Sequence, residues 1–241
     1  MSRTRLRQSP DLAHGLKAST VPGLNRPTFP VERYFCSLTK LDDRSIIVAM
    51  QKDARRAILE AAAPLIHRQG FNNTGLKEIL DAARVPKGSF YFYFKSKEDF
   101  GIALVDHIAQ GLKEDALAFL EANPRPPLEQ LRLFMEHRRD QRIQADCEAG
   151  CPIGNLALEM SDLSPAMRGR IRQALDGVTR FYATFLRQAQ ERGELDPALD
   201  ADATAAFILD AMEGALLRMK VEKSAEPLDR CRAFVFSKLL A

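Results

Sequence analysis

Residues 74–100 read T-G-L-K-E-I-L-D-A-A-R-V-P-K-G-S-F-Y-F-Y-F-K-S-K-E-D-F, and the fold is decided here. Leu76, Ile79, Leu80 and Ala83 recur at three- and four-residue spacing, which predicts a short helix with one apolar face. Gly75 stands at its N-cap position, and Glu78, three residues on, lies near the positive end of the helix dipole. Arg84-Val85-Pro86 breaks the pattern. Pro86 suits the start of a second short helix, Lys87 to about Phe92, because a proline there loses no needed donor. Ser96-x-x-Asp99 then has the form of a capping box opening a long helix through Ile102, Leu104, Val105, Ile108 and Leu112. Two short helices joined by a three- or four-residue turn form a helix-turn-helix. The second helix of such a pair fits a major groove about 12 Å wide.

The residue types on that second helix suit the task. Phe90 and Phe94 share one side and can pack inward, leaving Lys87, Gly88, Ser89, Tyr91 and Tyr93 to point out. Gly88 permits close backbone approach, while Ser89 and the tyrosine hydroxyls can donate to phosphates. Lys97, in the first turn of the next helix, can hold a phosphate together with free backbone N–H groups. Lys77 is placed to reach the groove edge. Periodicity alone also accommodates a plain aromatic core stripe.

Outward from this segment the chain reads as helices. Upstream, Ala54, Ile58, Ala61, Ala62, Leu65 and Ile66 predict a helix from Met50 to Gln69, ended by Gly70, with Pro64 expected to kink it. Residues 1–49 lack sustained periodicity and contain four prolines. They are expected to be disordered, or an extension upstream of a true start at Met50; translation from Met1 or from Met50 both fit. Asn123-Pro-Arg-Pro-Pro127 marks a boundary. Beyond it, helices are expected near 128–148, 153–160, 165–192, 200–222 and 227–240, with Ser164-Pro165 capping the third. No strand alternation persists, so the fold class is all-α. The expected domains are a helix-turn-helix head at 50–97 and a larger helical body at 98–241.

Composition agrees. The 241 residues are 46% hydrophobic and 28% charged, the balance of a globular protein. No apolar stretch is long enough for a membrane span, and no secretory signal is evident, which points to the cytoplasm. Four scattered cysteines make neither a disulfide framework nor a zinc site, and no cofactor or metal is expected. Residues 1–49 and 50–99 carry net charges of +4 and +3, and residues 100–241 carry −4. A basic head on an acidic body suits contact with double-stranded DNA.

The run at 75–100 resembles the DNA-binding head of the TetR family of repressors. The resemblance implies base or phosphate contacts for Lys77, Lys87, Gly88, Ser89, Tyr91 and Tyr93, and a phosphate contact for Lys97. Phe92 departs from the polar ring common at its position. Residues 150–167 and 213–228 further resemble the NemR- and AcuR-type branch, whose members answer to reactive electrophiles or unsaturated acids, often through a cysteine equivalent to Cys151. The branch implies a homodimer paired through helices 165–192 and 200–222, a palindromic operator and a small-molecule effector. It leaves open whether the chain represses or activates.

Cys151 precedes a helix, whose N-terminus is expected to lower the thiol pKa, and Cys147 could resolve an oxidised Cys151. A packed thiol without a role is the alternative. Asn155 and Glu159 share a face and could line a pocket or cap backbone. Tyr182, Glu213 and Arg218 are further candidates, Arg218 as partner for a carboxylate. An enzyme using Cys151 with His137 as base lacks an oxyanion site, so no catalytic residue is assigned.

Overall fold

The computed structural model describes residues 43–241, with side chains from residue 53 onward. The expected disorder before residue 43 lies outside the described residues. The first helix, α1 (Asp43–Gln69), begins seven residues before Met50, so residues 43–49 are helical and not irregular. Pro64 lies within α1 on its exposed side, where water can satisfy the Glu60 carbonyl that the proline leaves free. Gly70 closes α1 at φ +90.

The helix-turn-helix follows as α2 (Leu76–Ala83), a 3₁₀ turn (Lys87–Ser89) and α3 (Phe90–Tyr93). Gly75 is the N-cap of α2 but supplies no side chain, and Glu78 accepts from Gln69. The turn between α2 and α3 relies on Arg84 in the left-handed region at φ 57, a place more often taken by glycine. Its N–H donates to Asp81, and Val85 donates to Leu80, closing the end of α2. Phe90 and Phe94 are each 1% exposed, so the inward pair expected from spacing is the packed one.

The body comprises α4 (Lys97–Ala122), α5 (Pro127–Gln144), α6 (Pro152–Met160), α7 (Pro165–Glu191), α8 (Ala201–Glu222) and α9 (Glu226–Phe234), the last continuing as a π turn to Leu239. No strand occurs among the described residues. Ser96 caps α4 by accepting from Asp99 N–H at 3.0 Å, while the Asp99 carboxylate accepts from Lys95 N–H at 2.9 Å. Ser164 caps α7 by accepting from Met167 N–H and also donates to Glu98 on α4. Helix α7 is the centre of the body, packing against α4, α5, α6 and α8. A bidentate Arg139–Asp229 pair, at 3.0 and 2.9 Å, and an Arg232–Glu136 pair fasten α9 to α5.

One apolar cluster runs from the head into the body. It includes Ile58, Ile79, Leu80, Phe90, Phe94 and Phe100, and continues through Ile153, Leu156, Met160 and Met167. Phe71 stacks on Phe100 at 6.2 Å, and Phe100 meets Phe90 and Phe94 edge-on. Gly101 is the close-approach point: a Cβ there would lie 2.7 Å from Met167 Sδ and 2.8 Å from the Phe71 ring. A second cluster, around Leu131, Leu186, Ala205 and Ile208, fills the far end of the body.

Phe100 has no solvent exposure and three aromatic neighbours, Phe71, Phe90 and Phe94, so its loss leaves a cavity the helices cannot close. We expect Phe100→Ala to lower the unfolding free energy by about 3–5 kcal/mol in urea titration. A loss under about 1 kcal/mol would show that the ring cluster is not what joins these helices.

Candidate functional site

Burying Phe90 and Phe94 determines what the second helix offers outward. Lys87, Gly88, Tyr91 and Phe92 are exposed, and Ser89 and Tyr93 are half-buried. Tyr91 is 71% exposed and Phe92 69%. At 100° per residue, position 92 points almost directly away from the 90/94 side, so Phe92 is the outermost ring. Its ring is held edge-on by Tyr93 at 5.5 Å. Phe92 was not among the expected contact residues, because an apolar ring gives no hydrogen-bonding signal. Lys77 is exposed on α2. Lys97 differs from expectation: its ammonium lies over the Phe71 ring at 5.0 Å and donates to the Thr74 carbonyl at 3.4 Å. The cation is drawn to a buried aromatic face instead of standing free.

The body holds a cavity of 790 Å³, partly open to solvent, between α4, α5, α7 and α8, with Cys151, Pro152 and Ile153 in its wall. Tyr182 and Glu213 line it, with Arg138 and Arg142 from α5 beside them. Burial drives the pKa of Arg142 down, and the nearby Arg138 charge adds to this. Burial likewise raises the pKa of Glu213 and pushes that of Tyr182 up to about 12. Arg138, Arg139, Arg142, Arg170, Arg180 and Lys113 stand against Asp106 and Glu213 in the lining, so the wall carries an excess of positive charge.

Arg218, the expected carboxylate partner, is exposed and paired with Glu222 at 2.5 Å, outside this cavity. It lies two residues past Leu216, which lines the wall, on another face of α8; the arginines that do line the cavity come from α5 and α7, whose spacing gave no hint of facing inward. Asn155 and Glu159 do not line the cavity either. Asn155 donates to the Ala149 carbonyl at 2.6 Å. Glu159 accepts from the backbone N–H groups of Phe71 and Asn72, each at 2.6 Å. They take the capping alternative, since carboxylates and amides one turn apart on α6 meet the free N–H and C=O groups of adjacent loops.

Cys151 caps α6, its sulfur accepting from Gly154 N–H at 3.3 Å. The helix terminus does favour the thiolate, but burial outweighs it and the Glu213 charge adds to burial, pushing the thiol up to about 12. The expected lowering is therefore reversed. Cys147 packs in a small cluster with Ala215, Met219 and Leu228. His137 stacks on Phe119 at 4.2 Å and pairs with Gln141. Among the described residues, no group of three or more His, Cys, Asp or Glu could hold a metal ion, and no helix is long and apolar enough to cross a membrane.

A helix-turn-helix with a basic and aromatic outer face, carried on a helical body with a chamber, defines a ligand-responsive type of transcriptional regulator. Residues 58–104 match the family described as bacterial regulatory proteins, tetR family, and residues 127–235 match the tetracyclin repressor-like C-terminal domain. The chain is 37% identical to the transcriptional regulator AcuR of Cereibacter sphaeroides, over 73% of this chain and 80% of that protein. It is 30% identical to the HTH-type transcriptional repressor NemR of Escherichia coli K12, over 77% of this chain and 93% of that one. Among solved structures, the regulatory protein TetR from Rhodobacter sphaeroides superposes with a TM-score of 0.67 at 35% identity, covering 74% of this chain and 94% of that chain. Reduced E. coli NemR superposes at 0.68 with 29% identity, covering 77% and 97%. The chain belongs to the TetR family of transcriptional regulators, whose members are DNA-binding proteins and not enzymes.

The raised Cys151 thiol has a direct kinetic consequence. Because the thiolate is the nucleophile, its alkylation rate by iodoacetamide should climb about tenfold per pH unit from about pH 7 to 10 without levelling. Mass spectrometry of the Cys151 peptide reads this. Levelling near pH 8 would mean the thiol is not held protonated by its surroundings.

Proposed function

We propose that the chain is a dimeric repressor that binds a palindromic DNA operator in the cytoplasm and leaves it when a small anionic effector fills the cavity beside Cys151. The observation that carries the reading is the outer face of the helix-turn-helix. Lys87, Gly88 and Tyr91 stand exposed because Phe90 and Phe94 are buried. Lys77, Ser89 and Tyr93 flank that face, and Lys97 keeps two further N–H donors for a phosphate after meeting Thr74. Phe92 gives an apolar surface suited to a thymine methyl group.

Dimerisation is supported by α8. Its exposed residues include Ala203, Phe207, Asp210, Gly214, Leu217 and Val221, spaced alternately by four and three. A seam of that period, with a glycine at its middle, fits a second helix crossing at about 20°. A partner copy brings two recognition helices to half-sites about one helical turn apart.

For the effector, Arg142 and Arg138 supply charge and Tyr182 and Glu213 supply polar contacts. An acid is favoured because Arg142 is desolvated with a like charge beside it, and an anion relieves both effects. The protonated Cys151 favours reversible binding over an adduct, with the thiol lining the wall.

DNA selected from random sequence should be bound roughly 10³-fold more tightly than bulk DNA. Lys87→Ala should weaken that operator complex about 5- to 100-fold in fluorescence anisotropy. Equal affinity for selected and random DNA would defeat the repressor reading. In the same assay, a panel of short saturated and unsaturated carboxylates should release operator from wild type and from Cys151→Ser alike, but not from Arg142→Ala. Release lost in Cys151→Ser would restore the covalent reading.

A further inference from the structure

Helix α6 touches two places that matter and belongs wholly to neither. Its first turn forms cavity wall. Cys151 caps it, and the Glu213 carboxylate lies so close to Gly154 that a side chain there would collide with it. Its last turn reaches the head, where Glu159 accepts from Phe71 and Asn72 N–H at 2.6 Å each. Asn72 also donates its side-chain amide to Met160 Sδ at 3.5 Å. Gly70, at φ +90, faces the same carboxylate, with its missing Cβ position 3.1 Å from Oε2.

The other end of the α6 segment grips the same piece of α1. The His67 imidazole donates from Nε2 to the Gly150 carbonyl at 3.1 Å. His67 lies in the last turn of α1, and Phe71 and Asn72 follow just after it. Nine residues of helix span about 13 Å, so the two grips are held apart by a rigid rod. Charged acceptors taking backbone N–H groups make strong, short bonds, and a pair of them fixes direction as well as distance.

We propose that Glu159 is a positioning residue for DNA recognition, through which α6 couples the cavity wall at Cys151 and Gly154 to the orientation of the helix-turn-helix. The inference rests on the reading of the cavity as the effector site. It assigns the communication to one carboxylate. A displacement of the Cys151 end moves a rod whose other end holds the chain between α1 and α2. Coupling between sites is reciprocal, so DNA on the head must be felt at Cys151 as surely as a ligand at Cys151 is felt by the head.

Because α6 spans both places, the accessibility of Cys151 in the operator complex reports the coupling without the effector. N-ethylmaleimide alkylation of Cys151 is timed by mass spectrometry in the free dimer and in its complex with selected operator, with Cys231 as the internal reference. In wild type, operator should slow Cys151 by about fivefold or more. In Glu159→Gln, which faces one N–H with an amide NH₂, and in Glu159→Asp, which falls short by one methylene, the ratio should lie within about twofold of one. An unchanged rate in operator-bound wild type, or a wild-type ratio in both variants, overturns the proposal. A second measurement needs no variant: N-ethylmaleimide on Cys151 should speed hydrogen exchange at the Phe71 and Asn72 amides, and unaltered exchange there would overturn it equally. Failure of the repressor reading shows separately, as loss of operator selectivity in the untreated protein.

Discussion

Phe71 is the residue through which head and body share one interior. Its ring is 2% exposed, stacked on Phe100 and set against the bare Cα of Gly101, while its N–H is held by Glu159. A side chain at Gly101 would force apart the Phe71 ring and Met167, and with them the first turn of α4 and α7. The glycine is thus needed for lack of volume and not for backbone freedom. Because α4 begins in the head and ends in the body, a loose joint here would let the recognition helix wander relative to the body. The dimeric repressor proposed above would tolerate little of that, since both its recognition helices must reach bases one turn apart.

The cavity obeys the opposite rule. Where the joint is filled, the chamber is kept open, and its polar groups are left in unfavourable states. Arg142 is shifted against its charge, Glu213 and Tyr182 against ionisation, and Cys151 against the thiolate. Folding alone gains nothing from such an arrangement, because apolar residues of similar volume would be at least as stable. A ligand whose charge complements the two arginines recovers part of that unfavourable energy on binding. The polar cluster is therefore understandable as a binding site and poorly understandable as a core.

Much of this was readable locally. The helix-turn-helix, the inward Phe90 and Phe94, the Ser96 and Ser164 caps and the proline-initiated helices depend on neighbours within a turn or two, and spacing reports them. Relations across the fold were not readable. Glu159 and Asn155 share one face of a helix by spacing, yet their partners lie 88 and 6 residues away in loops that carry no pattern. Arg218 and Arg142 have similar surroundings in sequence; only the packing of α5 and α8 decides which one enters the chamber. The Cys151 shift went unforeseen for a related reason. A helix terminus can be seen from sequence, while burial, which is the larger cause, cannot.

The link between α5 and α6 carries the last piece of the logic. Asp146, Cys147 and Ala149 all adopt left-handed backbone, at φ 53, 53 and 62, with Gly150 following at 69. Only the glycine does so freely, and each of the others adds about 1 kcal/mol or more of strain. Such a loop persists because it is fastened from three directions: Asn155 to the Ala149 carbonyl, His67 to Gly150 and Lys223 to Glu148. Those fasteners come from α6, from the head-bearing α1 and from the end of α8. The strained loop is thus the place where the cavity wall, α8 and the joint meet. Burial lowers the His67 pKa, and its ring donates to a carbonyl from the neutral form, so the bond holds without bringing a charge into the joint. Loss of any one fastener leaves the strain opposed by the other two, so the loop is held jointly and by no single contact.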